Sequence, residues 1–311
     1  MNKIRYIPII GLAALLSSCS LFGGVKAPKF DKEGDEVKYE KFIEKLTDAY
    51  KDSELNDSDS KLGDRIVKYS YSSSGTYSLK RGKKEIEKST ETSISKGEQQ
   101  FDYDSLVSKS TGETKTTEKS TDQEGSSNET VSKKTEEYYQ FGKVEKEKYL
   151  IEANAKTKTY SGVYPSSDDD KLFDQLVRQT VSSAASLFSA RVPYSEEAAK
   201  DYTFYNNKDA IFTYSLVDED EDKVEKAYKY VTTTKIKVQL DITDKKQAVR
   251  YSSEVKTVLT YTDDINGYKE DDVVTREEKN YAEITCNAKE VKLKEVDLDD
   301  YVLKGGNSYN Y

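Results

Sequence analysis

The sequence predicts an α+β protein: long, curved antiparallel β-sheet, in one or two pieces, with two amphipathic helices packed on one side. Three observations lead there. Two stretches of helical periodicity, over about residues 36–52 and after Pro165, are each followed by long stretches in which apolar and polar residues alternate. Tyr is abundant, at 25 residues, and sits among Thr, Val and Ile as strand residues do. Hydrophobic residues make up 35% of the chain and charged ones 34%, so the core must be thin or divided.

In the first helix Tyr39, Phe42, Ile43, Leu46 and Tyr50 share one face, and Glu, Lys and Asp fill the other. The second opens at Asp168 to Asp170, acids that suit a helix N-terminus. Leu172, Phe173, Leu176, Val177, Ala184, Leu187 and Phe188 form its buried stripe, and Pro193 stops it. Strands in the first half are marked by Val67, Tyr69 and Tyr71, by Tyr77 and Leu79, by Phe101 and Tyr103, and by Tyr138 to Tyr160. Residues 108–130 contain no aliphatic or aromatic side chain and read as an exposed Ser/Thr-rich hairpin or as a loop.

The second half is plainer. Ala210, Phe212, Tyr214 and Leu216 begin a meander. From Tyr228 to Ile242 one parity holds Tyr228, Tyr230, Thr232, Thr234, Ile236, Val238 and Leu240, and the other is largely Lys, Gln and Asp, so one face is wet. Such a strand would reach roughly 50 Å at about 3.3 Å per residue and must therefore curve or bulge. Residues 243–246 form a turn, and Val249, Tyr251, Ser253, Val255, Thr257, Leu259 and Tyr261 share the next strand's face. Asn266-Gly267 turns the chain into Val273 to Val296, where Ala282, Ile284, Cys286 and Ala288 lie on one side.

Glu145 to Lys156 and Glu278 to Lys289 carry the same residue at six of twelve positions, at an offset of 133. Either a duplication or shared Lys/Glu-rich composition accounts for this. Two helix-plus-meander halves, 38–164 and 165–303, follow from the first reading, with 304–311 as a tail.

The N-terminus is more specific. Lys3 and Arg5 precede an apolar run from Tyr6 to Leu16, the layout of a secretory signal. The run falls short of the about 20 apolar residues a spanning helix needs. It ends in Leu16-Ser17-Ser18-Cys19, and here the sequence resembles the bacterial lipoproteins, whose lipobox is a Leu, two small residues and a Cys. The resemblance implies removal of residues 1–18, a diacylglycerol on the Cys19 thiol, and anchoring at the extracytoplasmic face of the cell membrane, or at the outer membrane in a two-membrane organism. Two or more acyl chains hold firmly where one does not. Residues 19–37, with Gly23-Gly24 and Pro28, read as a flexible tether.

Several chemistries are excluded or disfavoured. The chain has no His, and its net charge of -9 argues against nucleic acid as a partner. Cys286 shares its side with Ile284 and Ala288 and reads as a buried, inert thiol. Asp218 to Asp222 alternates like a calcium loop but has Lys223 and Lys229 where that loop needs Gly and Glu. Asp263-Asp264 with Glu270 to Asp272 reads as a charged turn. No catalytic residue, metal or cofactor is expected and the chain does not read as an enzyme; the enzyme alternative is a carboxylate-dependent hydrolase.

Helices over a curved sheet resemble, in layout, the half-barrel lipoprotein carriers of the LolA and LppX type. That resemblance implies a hydrophobic or amphipathic ligand at the sheet's concave face, lined by Tyr228, Tyr230, Ile236, Val238, Val249, Tyr251, Val255 and Tyr261. The alternative from the residues is a surface structural or interaction protein, in which Tyr serves as core aromatic and an exposed patch meets an envelope protein. A filled or an empty interior separates the two.

Overall fold

Phe42 and Leu46 lie one turn apart on helix α1 (Tyr39–Lys51), and both are buried, as the periodicity of that segment requires. Helix α2 (Asp169–Ser189) begins where Asp168 accepts a hydrogen bond from the Lys171 N–H at 3.2 Å. Its stripe delivers Phe173, Val177, Val181 and Phe188 to the interior. A short helix, α3 (Glu196–Ala199), was not evident from the sequence; Ser195 caps it. The computed structural model describes residues 26–51, 62–122, 125–208, 210–220, 223–225, 227–243 and 246–304. The signal segment 1–18, Cys19 and most of the 304–311 tail lie outside them, as do the side chains of Ala184 and of residues 121–130.

The strands are β1 (Asp35–Val37), β2 (Arg65–Arg81), β3 (Lys84–Asp102), β4 (Val107–Asp122), β5 (Gly125–Val144), β6 (Glu147–Asn154) and β7 (Thr159–Pro165) in the first part of the chain. There follow β8 (Tyr202–Asn207), β9 (Ile211–Glu219), β10 (Lys223–Val224), β11 (Tyr228–Thr243), β12 (Lys246–Tyr261), β13 (Asp272–Ala288) and β14 (Val302–Leu303). They form one sheet, ordered β1-β8-β9-β11-β12-β13-β2-β3-β4-β5-β6-β7-β14, with β10 beside β11. Its pairings are antiparallel except that β14 runs parallel to β7, so the sheet is mixed. The α+β expectation is met.

The two stretches expected as separate halves share this sheet, because β13 pairs with β2 along its whole length, from Asp272↔Arg81 to Ala288↔Arg65. Helix α1, from the first stretch, packs on β8 of the second, with the Phe42 and Phe204 rings 4.9 Å apart. Strand β11 keeps unbroken register with β12 from Tyr228↔Tyr261 to Thr243↔Lys246, so it is accommodated without a bulge against that neighbour. Register shifts occur instead at Leu79/Lys80 and at Leu150/Ile151. Segment 108–130 takes the hairpin alternative: β4 and β5 pair from Ser108↔Tyr139 to Asp122↔Gly125.

Cross-strand partners share a face, so register sorts the side chains. One face, here the helix face, carries Tyr69 and Tyr71 of β2, Val238 and Leu240 of β11, Val249 of β12, and Ala282, Ile284 and Cys286 of β13. Helix α2 crosses these strands, its Phe173 meeting Phe101 of β3 at 6.2 Å and its Phe188 meeting Tyr214 of β9 at 5.2 Å. Phe42 sits at the centre, 0% exposed, with Phe188, Phe204, Phe212 and Tyr214 within 6.5 Å. Aromatic pairs of this kind add about 0.5–1.5 kcal/mol each beyond area burial. The interior between helices and sheet is filled.

Farther along the strands, the sheet carries polar residues on both faces. Cross-strand pairs stabilise it there: Thr232 with Thr257 at 3.2 Å, Ser95 with Thr114 at 3.0 Å, and the Tyr281 hydroxyl donating to Glu254 at 2.5 Å. Gly97 and Gly112 are adjacent partners on β3 and β4, and the Tyr69 ring lies across both; a Cβ on Gly97 would come within 2.2 Å of its hydroxyl.

On the opposite, open face, the segments around Asp31 and Val296 cross the strands. The Gln239 side-chain amide clasps the Asp31 backbone, Oε1 accepting from its N–H at 2.8 Å and Nε2 donating to its carbonyl at 3.1 Å. Gln140 does the same to Val296, at 2.8 and 3.0 Å. Arg250 donates to Asp31 at 2.7 Å and to Glu283 at 2.9 Å. This corrects the expected tether: residues 31–37 belong to the body, because Asp31 supplies the charge that Arg250 faces and β1 pairs with β8. Near the other terminus Asp102 accepts from the N–H groups of Asp104, Ser105 and Leu293, at 3.0, 3.2 and 2.7 Å.

Phe42→Ala should cost about 3–5 kcal/mol of unfolding free energy, read from the urea midpoint. Burial pushes the Asp102 carboxyl up, but its backbone hydrogen bonds, led by that from Leu293, outweigh this and hold it below the ordinary carboxylate range. Its contribution is therefore present above the unfolded-state value, about 3.9, and is lost as pH falls through the lower folded value. Asp102→Ala should reproduce the acid effect at neutral pH, detectable as faster amide exchange at Leu293 while the amides of β2 stay protected.

Candidate functional site

The residues expected to face a ligand share a parity but not an environment. Val238 and Val249 are 0% exposed and belong to the packed interior under α2, with Ile236 and Tyr251 partly buried against it. The Arg191 guanidinium covers the Tyr251 ring at 4.5 Å. Val255 lies in the polar stretch beyond. Tyr228 and Tyr261 fall in a second apolar cluster at the far end of the same face, about ten residues or roughly 33 Å along β11 from Val238, and Tyr230 touches it through the Tyr228 ring.

This second cluster is built by five strands and a turn. Leu79 of β2, Val274 of β13 and Tyr261 of β12 form its floor, and Tyr77, Ile86, Tyr228, Leu259 and Tyr268 pack around them half-buried. Tyr228 and Tyr261 are register partners with rings 5.8 Å apart, and Tyr230 lies 6.2 Å from Tyr228. Tyr268 reaches the cluster because Asn266 and Gly267 both adopt left-handed φ, 49° and 89°, which reverses the chain at once. Its ring stacks on Tyr261 at 4.4 Å and 10°, and its hydroxyl meets that of Tyr77 at 3.4 Å. No helix residue belongs to this cluster among the described residues.

Charged groups hold the turn in place. The Arg81 guanidinium forks onto Asp272 with two bonds of 2.8 Å, and the Asp272 carboxylate also accepts from the Lys269 N–H at 2.9 Å. Arg81 holds the Asp272 carboxyl below the usual range. Asp264 accepts from the Lys269 ammonium at 2.7 Å and from the Glu270 N–H at 2.9 Å. The acids of this turn thus organise their own loop. Burial, followed by the neighbouring Tyr268, pushes the phenols of Tyr77 and Tyr261 up, so the patch presents neutral hydroxyls.

The open face carries a different feature, a trough of about 880 Å³ across β13, β2, β3, β4 and β5. Its walls alternate in charge: Lys68 meets Glu98 at 2.8 Å, Lys96 meets Glu113 at 3.8 Å, and Lys109, beside it, meets Glu136 at 2.7 Å. Such internally neutralised rows suit solvent. On the helix face Glu137 and Glu152 are neighbours; burial and then the Glu152 charge raise the Glu137 carboxyl, while Asn154 donates to Glu137 and Tyr139 to Glu152, each at 3.3 Å. Among the described residues no group of three or more His, Cys, Asp or Glu side chains could hold a metal ion. Asp218 and Glu219 end β9 exposed, opposite Thr234 and Thr233. Burial pushes the Cys286 thiol up to about 11, in keeping with an inert core cysteine.

Of the patch residues, Tyr77 and Tyr268 were not singled out by alternation along β11 and β12. Tyr268 was recoverable in principle, since an Asn-Gly turn folds it back toward Tyr261. No helix among the described residues is long and apolar enough to cross a membrane. No protein-family model matches the chain, and no curated protein matches it either. Tyr268→Ala should make amides near Tyr261 and Val274 exchange faster while those of Val238 and Leu240 stay protected, because the two clusters share no side chain.

Proposed function

We propose that the protein is a membrane-anchored extracytoplasmic lipoprotein that acts as an interaction module, with the distal tyrosine patch docking an envelope protein. The observation that carries this reading is the pairing of a filled interior with an uncovered aromatic cluster. The carrier alternative requires space between helices and sheet, and Phe42, Phe173, Phe188 and Tyr214, all 0% exposed, occupy that region. Tyr228 and Tyr268, with Tyr230 beside Tyr228, instead offer an apolar body with a polar tip, the combination enriched where proteins meet. The anchor rests on Leu16-Ser17-Ser18-Cys19. The chain leaves the membrane toward Asp31, whose clasp by Gln239 and Arg250 fixes the tether to the helix-bearing part of the sheet.

Two measurements test this. Cys19→Ser should abolish incorporation of labelled fatty acid and move the chain from the membrane to the soluble fraction; retention of either signal contradicts the anchor. Native mass spectrometry of the chain without its first 19 residues should give the bare polypeptide mass. A stoichiometric hydrophobic adduct would overturn the interaction reading and restore the carrier. A photo-crosslinking residue at Tyr230 should then capture a defined envelope protein in cells, and the same residue at Lys96 in the trough should not.

A further inference from the structure

Where no helix covers the sheet, register sorts the charges by face. Gln239 and Arg250 mark the open face, and farther along the strands their parity brings Lys229 and Lys235 of β11, Lys256 of β12, Lys80 of β2 and Lys88 of β3 to that same face. All five are exposed. The lysines of the trough meet glutamates, whereas among the described residues no carboxylate pairs with Lys80, Lys229, Lys235 or Lys256. Two acids of this stretch are already engaged: Glu254 accepts from the Tyr281 hydroxyl, and Glu277 meets Lys279 at 3.0 Å.

The opposite face reverses the sign. Asp218, Glu278, Glu91 and Glu118 fall in one cross-strand row there, which runs from β9 to β4. The uncovered sheet thus has a lysine face and an acidic face, on a chain whose net charge is -9.

The lysine face is also the one on which the N-terminal segment lies. Asp31 sits on Gln239 and Arg250, and Lys235 is four residues along β11 from Gln239, or about 13 Å. Twelve positions separate Cys19 from Asp31, a span of at most about 40 Å.

We propose, on the basis of the lipoprotein reading, that the lysine face lies against the membrane that holds the anchor, its partner being the phosphate-bearing surface of an anionic bilayer. A diacylglycerol at Cys19 keeps the open face within reach of the headgroups. Each lysine that comes within a Debye length of such a surface, about 8 Å at physiological salt, adds roughly fivefold in affinity. Acyl chains and a basic patch then act together, as firm anchoring requires. The acidic row and the tyrosine patch, both on the helix face, are turned away from the bilayer, which neither repels the one nor covers the other.

Vesicle sedimentation of the chain without its first 19 residues tests the face apart from the anchor, and this truncation removes no strand or helix of the described fold. Phosphatidylcholine vesicles with about 30% phosphatidylglycerol should bind the chain at least tenfold more tightly than phosphatidylcholine alone at about 50 mM salt, and about 500 mM salt should abolish the difference. Lys229→Glu/Lys235→Glu/Lys256→Glu should lower binding to the anionic vesicles at least tenfold. Lys41→Glu/Lys171→Glu/Lys200→Glu makes the same change in net charge at exposed lysines on and beside the helices, and should leave binding within twofold. Slow amide exchange at Val238 in both variants reports an intact fold. Equal affinity for the two kinds of vesicle, an equal loss in both triple variants, or binding of soluble polyphosphate without binding of vesicles would overturn the proposal. Fatty-acid labelling at Cys19 is read separately, so its absence removes the anchor and absent vesicle binding removes the lysine face.

Discussion

Strand β13 meets β2 from Asp272↔Arg81 to Ala288↔Arg65, and this long antiparallel seam joins residues 191 to 223 positions apart. Without it the chain would be two smaller sheets, each with a long exposed edge. With it, α1 can pack on β8, α2 can reach from β3 to β9, and a single interior can form from both parts of the sequence. The seam also connects both apolar clusters, since β2 and β13 contribute to each. The polar stretch between them persists because it is continuous with packed sheet at either end.

Much of this architecture was legible. Both major helices, the long alternating strands and the Asn-Gly reversal follow from local periodicity and turn chemistry. What parity could not supply was position along the strand. Tyr228 and Val238 point to the same face of β11, yet one lies in an uncovered patch and the other under α2, because the direction in which a helix crosses a sheet is not encoded in the strand's own alternation. Gln239 likewise reads as a solvent-facing residue of the wet parity. It and Arg250 are buried because Asp31, 208 and 219 residues away respectively, crosses over them. The same blindness to distant partners made residues 31–37 read as tether.

The functional reading follows from where the sheet is covered. Aromatic and aliphatic residues fill the space under the helices. The remaining tyrosines gather at the far end, held by the Asp272 fork and the Asn266-Gly267 turn, and stay half-exposed. Under the proposed reading, a chain held at Asp31 and a tyrosine patch at the other end of the strands would present contacts at a distance from the membrane.

The claim beneath all of these is that the seam makes the sheet one cooperative body. Amide hydrogen exchange across increasing denaturant tests it most directly. The account predicts that the amides of Val67 to Tyr71 on β2 and Ala282 to Cys286 on β13 merge into the same, slowest opening reaction as those of Val238 and Leu240. If the strands β2 to β7 opened as a unit while β8 to β13 stayed protected, the sheet would be two domains in contact, and the account would be contradicted.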